Sequence, residues 1–234
     1  MTQFKRILIK LSGEALAGSK GVGFDYDTVM SVVHQLKKLV EQGKEIAVVI
    51  GGGNFWRGRS SEEMDRTKAD QIGMLATVMN ALYAAEICRS QGLNAVVQTP
   101  FQIGTMTEIF TKERAIHYIT HNTIVFLAGG TGHPFFSTDT GAALRGCEIE
   151  ADALLFAKNI DGVYDSDPKL NPAAKKIDQI TCKEILDKDL KVIDGTAASL
   201  CMEQKLPILV FGLNMENSII KAVSGENIGT LITN

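Results

Sequence analysis

Along the chain, short runs of uninterrupted apolar side chains alternate with longer segments in which apolar residues recur every three or four positions. The runs at Arg6–Leu11, Lys44–Ile50, Leu93–Gln98, Thr123–Ala128, Ala153–Ala157 and Pro207–Phe211 read as buried strands, with a final strand near Gly229–Thr233. Between them, Asp25–Gln42 carries Val29, Val32, Val33, Leu36, Leu39 and Val40 at helical spacing and is closed by Gly43. Asp65–Gln91 repeats Ile72, Leu75, Ala76, Met79, Leu82 and Tyr83 over about 40 Å of helix, a length that often packs against a partner subunit. Further helices are expected from near Thr138, over Thr181–Lys188 and over Asp194–Gln204. Strand alternating with helix predicts an α/β fold in three layers, a mostly parallel central sheet with helices on both faces and ligands at the carboxyl ends of the strands. The stretch Asn159–Pro172, crowded with Asp, Asn, Gly and Pro, reads as an ordered functional loop or a joint between two lobes.

With 234 residues, of which 45% are hydrophobic, the chain can bury a substantial core as one domain or as two closely packed lobes. A net charge of -3 gives no reason to expect nucleic acid or an anionic membrane as the main partner, so any anion site must be local. Cys88, Cys147, Cys182 and Cys201 are scattered without a C-x-x-C pair, which suits reduced thiols in a cytoplasmic protein. No apolar run reaches the roughly 18 residues of a membrane span, and a soluble protein is expected.

Three glycine-rich breaks fall at strand ends. Lys10-Leu11-Ser12-Gly13 hands a strand-end ammonium to a turn, where backbone N–H groups could meet a phosphate; the same pattern also occurs as an ordinary solvated lysine. Gly51-Gly52-Gly53-Asn54 points to a phosphate more strongly, because three glycines remove every side chain that would keep an anion away from the backbone, and Arg57 follows within reach. The third break leads into Thr131-Gly132-His133-Pro134-Phe135-Phe136-Ser137-Thr138-Asp139, whose hydroxyls could bind an anion and whose phenylalanines could wall a flat ring, or else cap a helix and fill a core. There is no G-x-x-x-x-G-K-[ST] loop, no G-x-G-x-x-G after a strand and no G-x-S-x-G. His117 and His121 stand four apart on an expected helix, a metal-compatible spacing without a nearby Glu pattern such as H-E-x-x-H, and read better as surface, so no protein metal site is assigned.

Together these breaks and Asp161-Gly162-Val163-Tyr164-Asp165-Ser166-Asp167-Pro168 resemble the amino acid kinase family, over nearly the whole chain. Gly53–Gly58, Asp70–Asn80, Thr131–Asp139 and Val192–Ala198 are most similar to its uridylate kinase branch, which is unrelated to P-loop kinases. The resemblance implies transfer of the ATP γ-phosphoryl group to UMP, giving UDP and ADP in pyrimidine nucleotide biosynthesis, with Mg²⁺ on the phosphates. It implies ATP contacts at Lys10, Leu11, Ser12, Gly13, Gly53, Arg57, Lys158, Asn159, Tyr164 and Asp167. It implies UMP contacts at Gly52, Asp70 and Thr131, Gly132, His133, Pro134, Phe135, Phe136, Ser137 and Thr138. The segment Gly18, Ser19, Lys20, Gly21, Val22 and Gly23 matches one linked to activation by GTP, and UTP is the expected inhibitor. A single domain is implied, with lobes 1–157 on the UMP side and 158–234 on the ATP side, in a homo-oligomer that the resemblance makes a hexamer. Two positions depart from the pattern: His133 stands where Asn is frequent, and Lys158-Asn159 where Thr-Lys is common.

Phosphoryl transfer asks the protein mainly to align two anions and neutralise charge, roles expected of Lys10 and Arg57, with Asp139 and Asp194 orienting Lys10 or metal-bound water. No general base is required, since a UMP phosphate is already an oxyanion. Asp70, near a helix start, would accept from the ribose hydroxyls. Two other readings stand beside this one: a carbamate or amino acid kinase of the same fold, and a nucleotide-sensing regulator without turnover.

Overall fold

The computed structural model describes residues 4–56, 64–166, 168 and 170–234. Strands are β1 (Arg6–Leu11), β2 (Glu45–Ile50), β3 (Asn94–Thr99), β4 (Glu108–Ile109), β5 (Thr123–Leu127), β6 (Ala153–Lys158), β7 (Val163–Tyr164), β8 (Lys176–Ile177), β9 (Gln179–Thr181), β10 (Ile208–Gly212) and β11 (Gly229–Thr233). Helices are α1 (Gly13–Leu16), α2 (Tyr26–Glu41), α3 (Arg66–Ser90), α4 (Lys112–Thr120), α5 (Thr138–Glu148), α6 (Cys182–Asp187), α7 (Gly195–Gln204) and α8 (Ser218–Ser224). Each expected strand and helix is present; the short β4, β7, β8 and β9 and the helices α1 and α8 have no apolar period long enough to announce them.

Among the described residues nine strands form one sheet in the order β4-β3-β5-β2-β1-β6-β10-β11-β9. Neighbours from β4 to β10 are parallel, β11 runs antiparallel to β10, and β9 follows β11. Because β1, β2, β5 and β6 point the same way, the segments after Leu11, Ile50, Leu127 and Lys158 leave the sheet at one edge. At β1 the chain changes direction across the sheet, with β2 on one side and β6 on the other, the position at which open α/β sheets leave a crevice. Part of the Asn159–Pro172 stretch forms a small ribbon of its own, with Val163 opposite Ile177 and Tyr164 opposite Lys176.

Strand alternation assigns each side chain to a face. Ile7, Ile9 and Leu11 join Val32, Leu36, Ala84 and Ile219 in the core beneath α2, α3 and α8. Leu8, Leu154 and Phe156 join Ala115, Ala142, Ala198 and Cys201 beneath α4, α5 and α7. Lys10 is in step with Leu8, and Lys158 with Leu154 and Phe156, so both ammonium groups rise on the α5 face at the edge where the loops gather.

Helix α3 splits the apolar stripe read from its sequence. Ala76 is buried and Leu82 and Tyr83 pack partly against the core, but Ile72, Leu75 and Met79 are 38%, 51% and 46% exposed. The buried stripe is made mostly of small residues, among them Ala69, Ala81, Ala84, Ala85 and Cys88, which let the helix lie close to the sheet. A period weighted by large side chains follows the outer face instead.

The first two glycine breaks touch. Gly51 N–H donates to the Leu11 carbonyl at 3.0 Å, and a Cβ at Gly13 would stand 2.6 Å from Asn54 Oδ1 and closer still to the Gly51 carbonyl oxygen. Gly13→Ala is therefore expected to cost roughly 1–3 kcal/mol by overpacking against backbone. Gly21 has φ +69 and open space around it, so Gly21→Ala should cost only about 1 kcal/mol of left-handed strain. Urea unfolding midpoints of the two variants check both the sizes and their order.

Candidate active site

Two adjoining clefts open at the sheet edge. The first, of about 390 Å³, is lined by Gly52, Gly53, Asp70, Thr77, Gly130, Thr131, His133 and Phe136, among others. The second, of about 620 Å³, is lined by Lys10, Asp139, Leu186, Ile193, Asp194 and Gly195, among others. Glu14, Ser137 and Thr138 line both, so the start of α5 forms a shared wall. The third glycine break is held to α3 by Gly129 N–H, which donates to Thr77 Oγ1 at 2.8 Å. Thus the three breaks, distant in sequence, border one continuous depression.

At its base lies an ion triad. Asp139, in the first turn of α5, has Lys10 Nζ 2.8 Å from Oδ1, off the hydrogen-bonding direction so that the attraction is one of charge. Lys158 Nζ donates to Asp139 Oδ2 at 2.9 Å and also to the Val192 carbonyl. Burial alone would raise the Asp139 pKa, but the flanking Lys10 and Lys158 outweigh it and bring it down to about 2, so the carboxylate stays ionised at neutral pH. Burial, aided by the neighbouring Lys10 charge, holds the Lys158 pKa below its ordinary value against the pull of Asp139. Two ammoniums share a single carboxylate, and Lys10 of the pair lines the second cleft, where its charge can meet a phosphate.

Asp194 contacts hydroxyls rather than Lys10. It accepts from Thr140 Oγ1 at 2.8 Å and from Ser137 Oγ, and it caps α7 by accepting from Ala197 N–H at 2.9 Å. Ser137 in turn caps α5 by accepting from the N–H groups of Asp139 and Thr140 at 3.0 and 3.2 Å. Asp194 therefore locks the N-terminal ends of two helices together, and its expected grip on Lys10 is replaced by this indirect one through the helix that carries Asp139.

In the first cleft the Asp70 carboxylate accepts from Arg66 Nε at 3.0 and 2.9 Å and from Phe135 N–H at 2.8 Å. Phe135 adopts φ +72, uncommon for a bulky residue, which turns its N–H inward while its ring is 62% exposed. Trp56 Nε1 donates to the Ala69 carbonyl of α3 at 2.8 Å, and Trp56 also lines this cleft.

Not every expected contact lies in these clefts. Leu11 points into the core and can serve only through its backbone. Gly132, Pro134 and Phe135 border the first cleft without lining it. Lys158 pairs with Asp139 beside Lys10, whereas Asn159 is exposed and Tyr164 stands on the ribbon, its hydroxyl donating to Asp161 Oδ1 at 2.9 Å; none of the three lines the second cleft. The segment Gly18–Gly23 is a 3-10 turn (Gly18–Lys20) followed by a short surface loop attached to the second glycine break, with Gly23 N–H donating to the Asn54 carbonyl at 3.2 Å. Arg57 and Asp167 lie outside the described residues. His117 and His121 lie side by side on the surface, their rings tilted by 35° with 4.2 Å between centroids.

Arg66, Gly73, Met74 and Thr77 were missed by sequence reading, although the 4-3-4 spacing of Arg66, Asp70, Gly73 and Thr77 sets them on one helical face. Glu14 carried no signal at all, since only the fold of the Gly13 turn brings it to the shared wall.

The family model described as "Amino acid kinase family" matches residues 5–212. The chain is similar to the crystal structure of UMP kinase from Bacillus anthracis, with a TM-score of 0.95 and 35% identity over 99% of this chain and 97% of that one. It is similar to UMP kinase from Ureaplasma parvum, with a TM-score of 0.93 and 34% identity over all of both chains. The uridylate kinase from Archaeoglobus fulgidus matches with a TM-score of 0.72 and 26% identity over 97% of this chain and 99% of that one. With the matched model spanning most of the sequence and the same sheet in these structures, the chain belongs to the amino acid kinase family.

Proposed function

We propose that this chain is a UMP kinase, moving the γ-phosphoryl group of ATP onto the phosphate of UMP to give UDP and ADP. The observation that carries the reading is the adjacency of two clefts across the Ser137–Thr138 wall, one holding the acidic Asp70 and the other Lys10 and Asp139, with Lys158 paired to Asp139 behind them. The names of the relatives at 35% and 34% identity point the same way.

On this reading UMP occupies the first cleft, its ribose hydroxyls donating to the Asp70 oxygens and its base resting near Phe136. ATP extends its phosphates over Lys10 and Lys158 in the second. The attacking oxygen is already an anion, so the residues act by alignment and by neutralising charge as the phosphoryl group passes between oxygens. Asp139 keeps both ammoniums in place before substrate arrives. The protein offers Mg²⁺ no preformed cage: the Asp139 oxygens face lysines, the Asp194 oxygens face hydroxyls, and no group of three His, Cys, Asp or Glu side chains gathers among the described residues. Such a site fits a metal held chiefly by nucleotide phosphates and water, which would supply further charge neutralisation there.

Residues 1–157 then supply the acceptor side and, through Lys10 and Asp139, the phosphate end of the donor cleft, while 158–234 supply the rest of the donor side of one domain. The outward-facing Ile72, Leu75 and Met79 on α3 suit a contact with another copy of the chain, and we take the protein to be a homo-oligomer, a hexamer on family precedent. The exposed Gly18–Gly23 loop, joined to the phosphate-binding turn, is our candidate for the element through which GTP activates, with UTP as inhibitor. No helix among the described residues is long and apolar enough to cross a membrane; we assign the protein to the cytoplasm, where its buried free thiols Cys88, Cys182 and Cys201 would stay reduced.

A coupled ADP-release assay with UMP, CMP, carbamate and glutamate as acceptors is expected to respond to UMP, and turnover with carbamate or glutamate instead, or with none, would overturn the reading. Replacing Lys10 or Lys158 with Ala should lower kcat on the order of 100- to 1000-fold while circular dichroism reports an intact fold, each lysine neutralising transferred charge. Asp70→Asn should weaken UMP binding roughly ten- to a hundredfold through loss of a charge-assisted hydrogen bond, with ATP affinity unchanged in calorimetric titration.

A further inference from the structure

Behind the second glycine break lies a buried pair of carboxamides. Asn54 is 2% exposed and Asn80, at the middle of α3, is 1% exposed. Asn54 Nδ2 donates to Asn80 Oδ1 at 2.9 Å, and Asn80 Nδ2 donates back to Asn54 Oδ1 at 2.7 Å. The remaining donor of Asn80 reaches the Gly51 carbonyl at 2.7 Å, and that of Asn54 reaches the Gly23 carbonyl at 2.8 Å. Every amide hydrogen of the pair is used, and only one orientation of each side chain allows it.

These bonds determine where the glycine turn points. Gly51 N–H is held by Leu11 and its carbonyl by Asn80, while the Gly52 carbonyl accepts from Phe55 and Trp56 N–H, both at 3.0 Å. In a trans peptide the N–H points opposite to the carbonyl of the same unit. The N–H groups of Gly52 and Gly53 are therefore turned away from α3 and from the Gly52–Trp56 turn, and both glycines line the first cleft.

We propose that Asn80, acting through Asn54 and the Gly51 carbonyl, is a positioning residue for phosphoryl transfer. It touches neither substrate in this arrangement; it aims the Gly52 and Gly53 donors at the oxygens between which the phosphoryl group moves. The inference rests on the UMP kinase reading. It also accounts for neutral amides here: the pair orients two carbonyls, those of Gly51 and Gly23, without adding charge beside the site.

The test compares wild type, Asn80→Ala, Asn80→Asp and the control Val78→Ala, a buried core position on the same helix. Activity with UMP and ATP is referred to the folded fraction from thermal unfolding. Asn80→Ala is expected to lose on the order of ten- to a hundredfold in kcat per folded molecule, with KM for UMP changing far less, because the Asp70 contacts are untouched. Asn80→Asp, the same shape with an acceptor facing the Gly51 carbonyl, should be at least as damaging as Ala; Val78→Ala should keep kcat. If Asn80→Ala matches Val78→Ala within twofold, or if Asp is clearly milder than Ala, the positioning role is refuted and the pair merely fills space. Should neither Asn80 variant fold, Asn54→Ser carries the same expectation for kcat. A wild-type protein inactive on UMP would instead bring down the activity reading itself.

Discussion

A single carboxylate shared by two ammonium groups is the interaction on which the rest of the structure turns. Asp139 can stay ionised under α5 only because Lys10 and Lys158 flank it, and the lysines can come together only because β1 and β6 are parallel neighbours with Lys10 and Lys158 on the same face. Phe156 lies opposite Lys10 and two residues before Lys158 on the same face, with Lys10 Nζ 5.9 Å and Lys158 Nζ 5.7 Å from its ring centroid. Breaking the strand order would leave unpaired charge in the interior, so the sheet topology and the electrostatics of the site are one constraint.

Around that triad the molecule keeps side chains out of the way. Gly13 and Gly51 approach so closely that a methyl group would collide, and Gly52 leaves no room against Gly73 and Ala76 of α3. What meets a ligand near these turns is backbone and the hydroxyls of Ser137 and Thr138, with the carboxylates of Glu14 and Asp70 in the first cleft and those of Asp139 and Asp194 beside Lys10 in the second. This division makes chemical sense: a polyphosphate is met by cations and N–H groups, a sugar by an acceptor. Asp194 supports it from a distance by binding the first turns of α5 and α7, so the shared wall at Ser137 and Thr138 is stiffened from both sides.

Helix α3 shows how one element serves three surfaces. Small residues, mostly alanines, face the sheet; Arg66, Asp70, Gly73 and Thr77 face the first cleft; Ile72, Leu75 and Met79 face outward. Its weak amphipathic character follows from this triple duty. The same economy holds for Asn80, which sits on the buried side yet acts on the glycine turn.

By itself the sequence determined the alternation of strand and helix and the glycine breaks at strand ends, with Lys10 beside the first, because apolar period and glycine are local properties written in neighbouring residues; Asp70 entered as a candidate only through the family resemblance. It could not reveal that Lys158 belongs with Lys10 rather than beside Tyr164, that Asp194 binds hydroxyls, or that the large apolar residues at the start of α3 look outward. Those facts depend on which strands lie side by side and on how closely a helix of small residues can approach them. Such pairings join positions more than a hundred residues apart, as Lys10 and Asp139 are, and only packing of the whole sheet chooses among them.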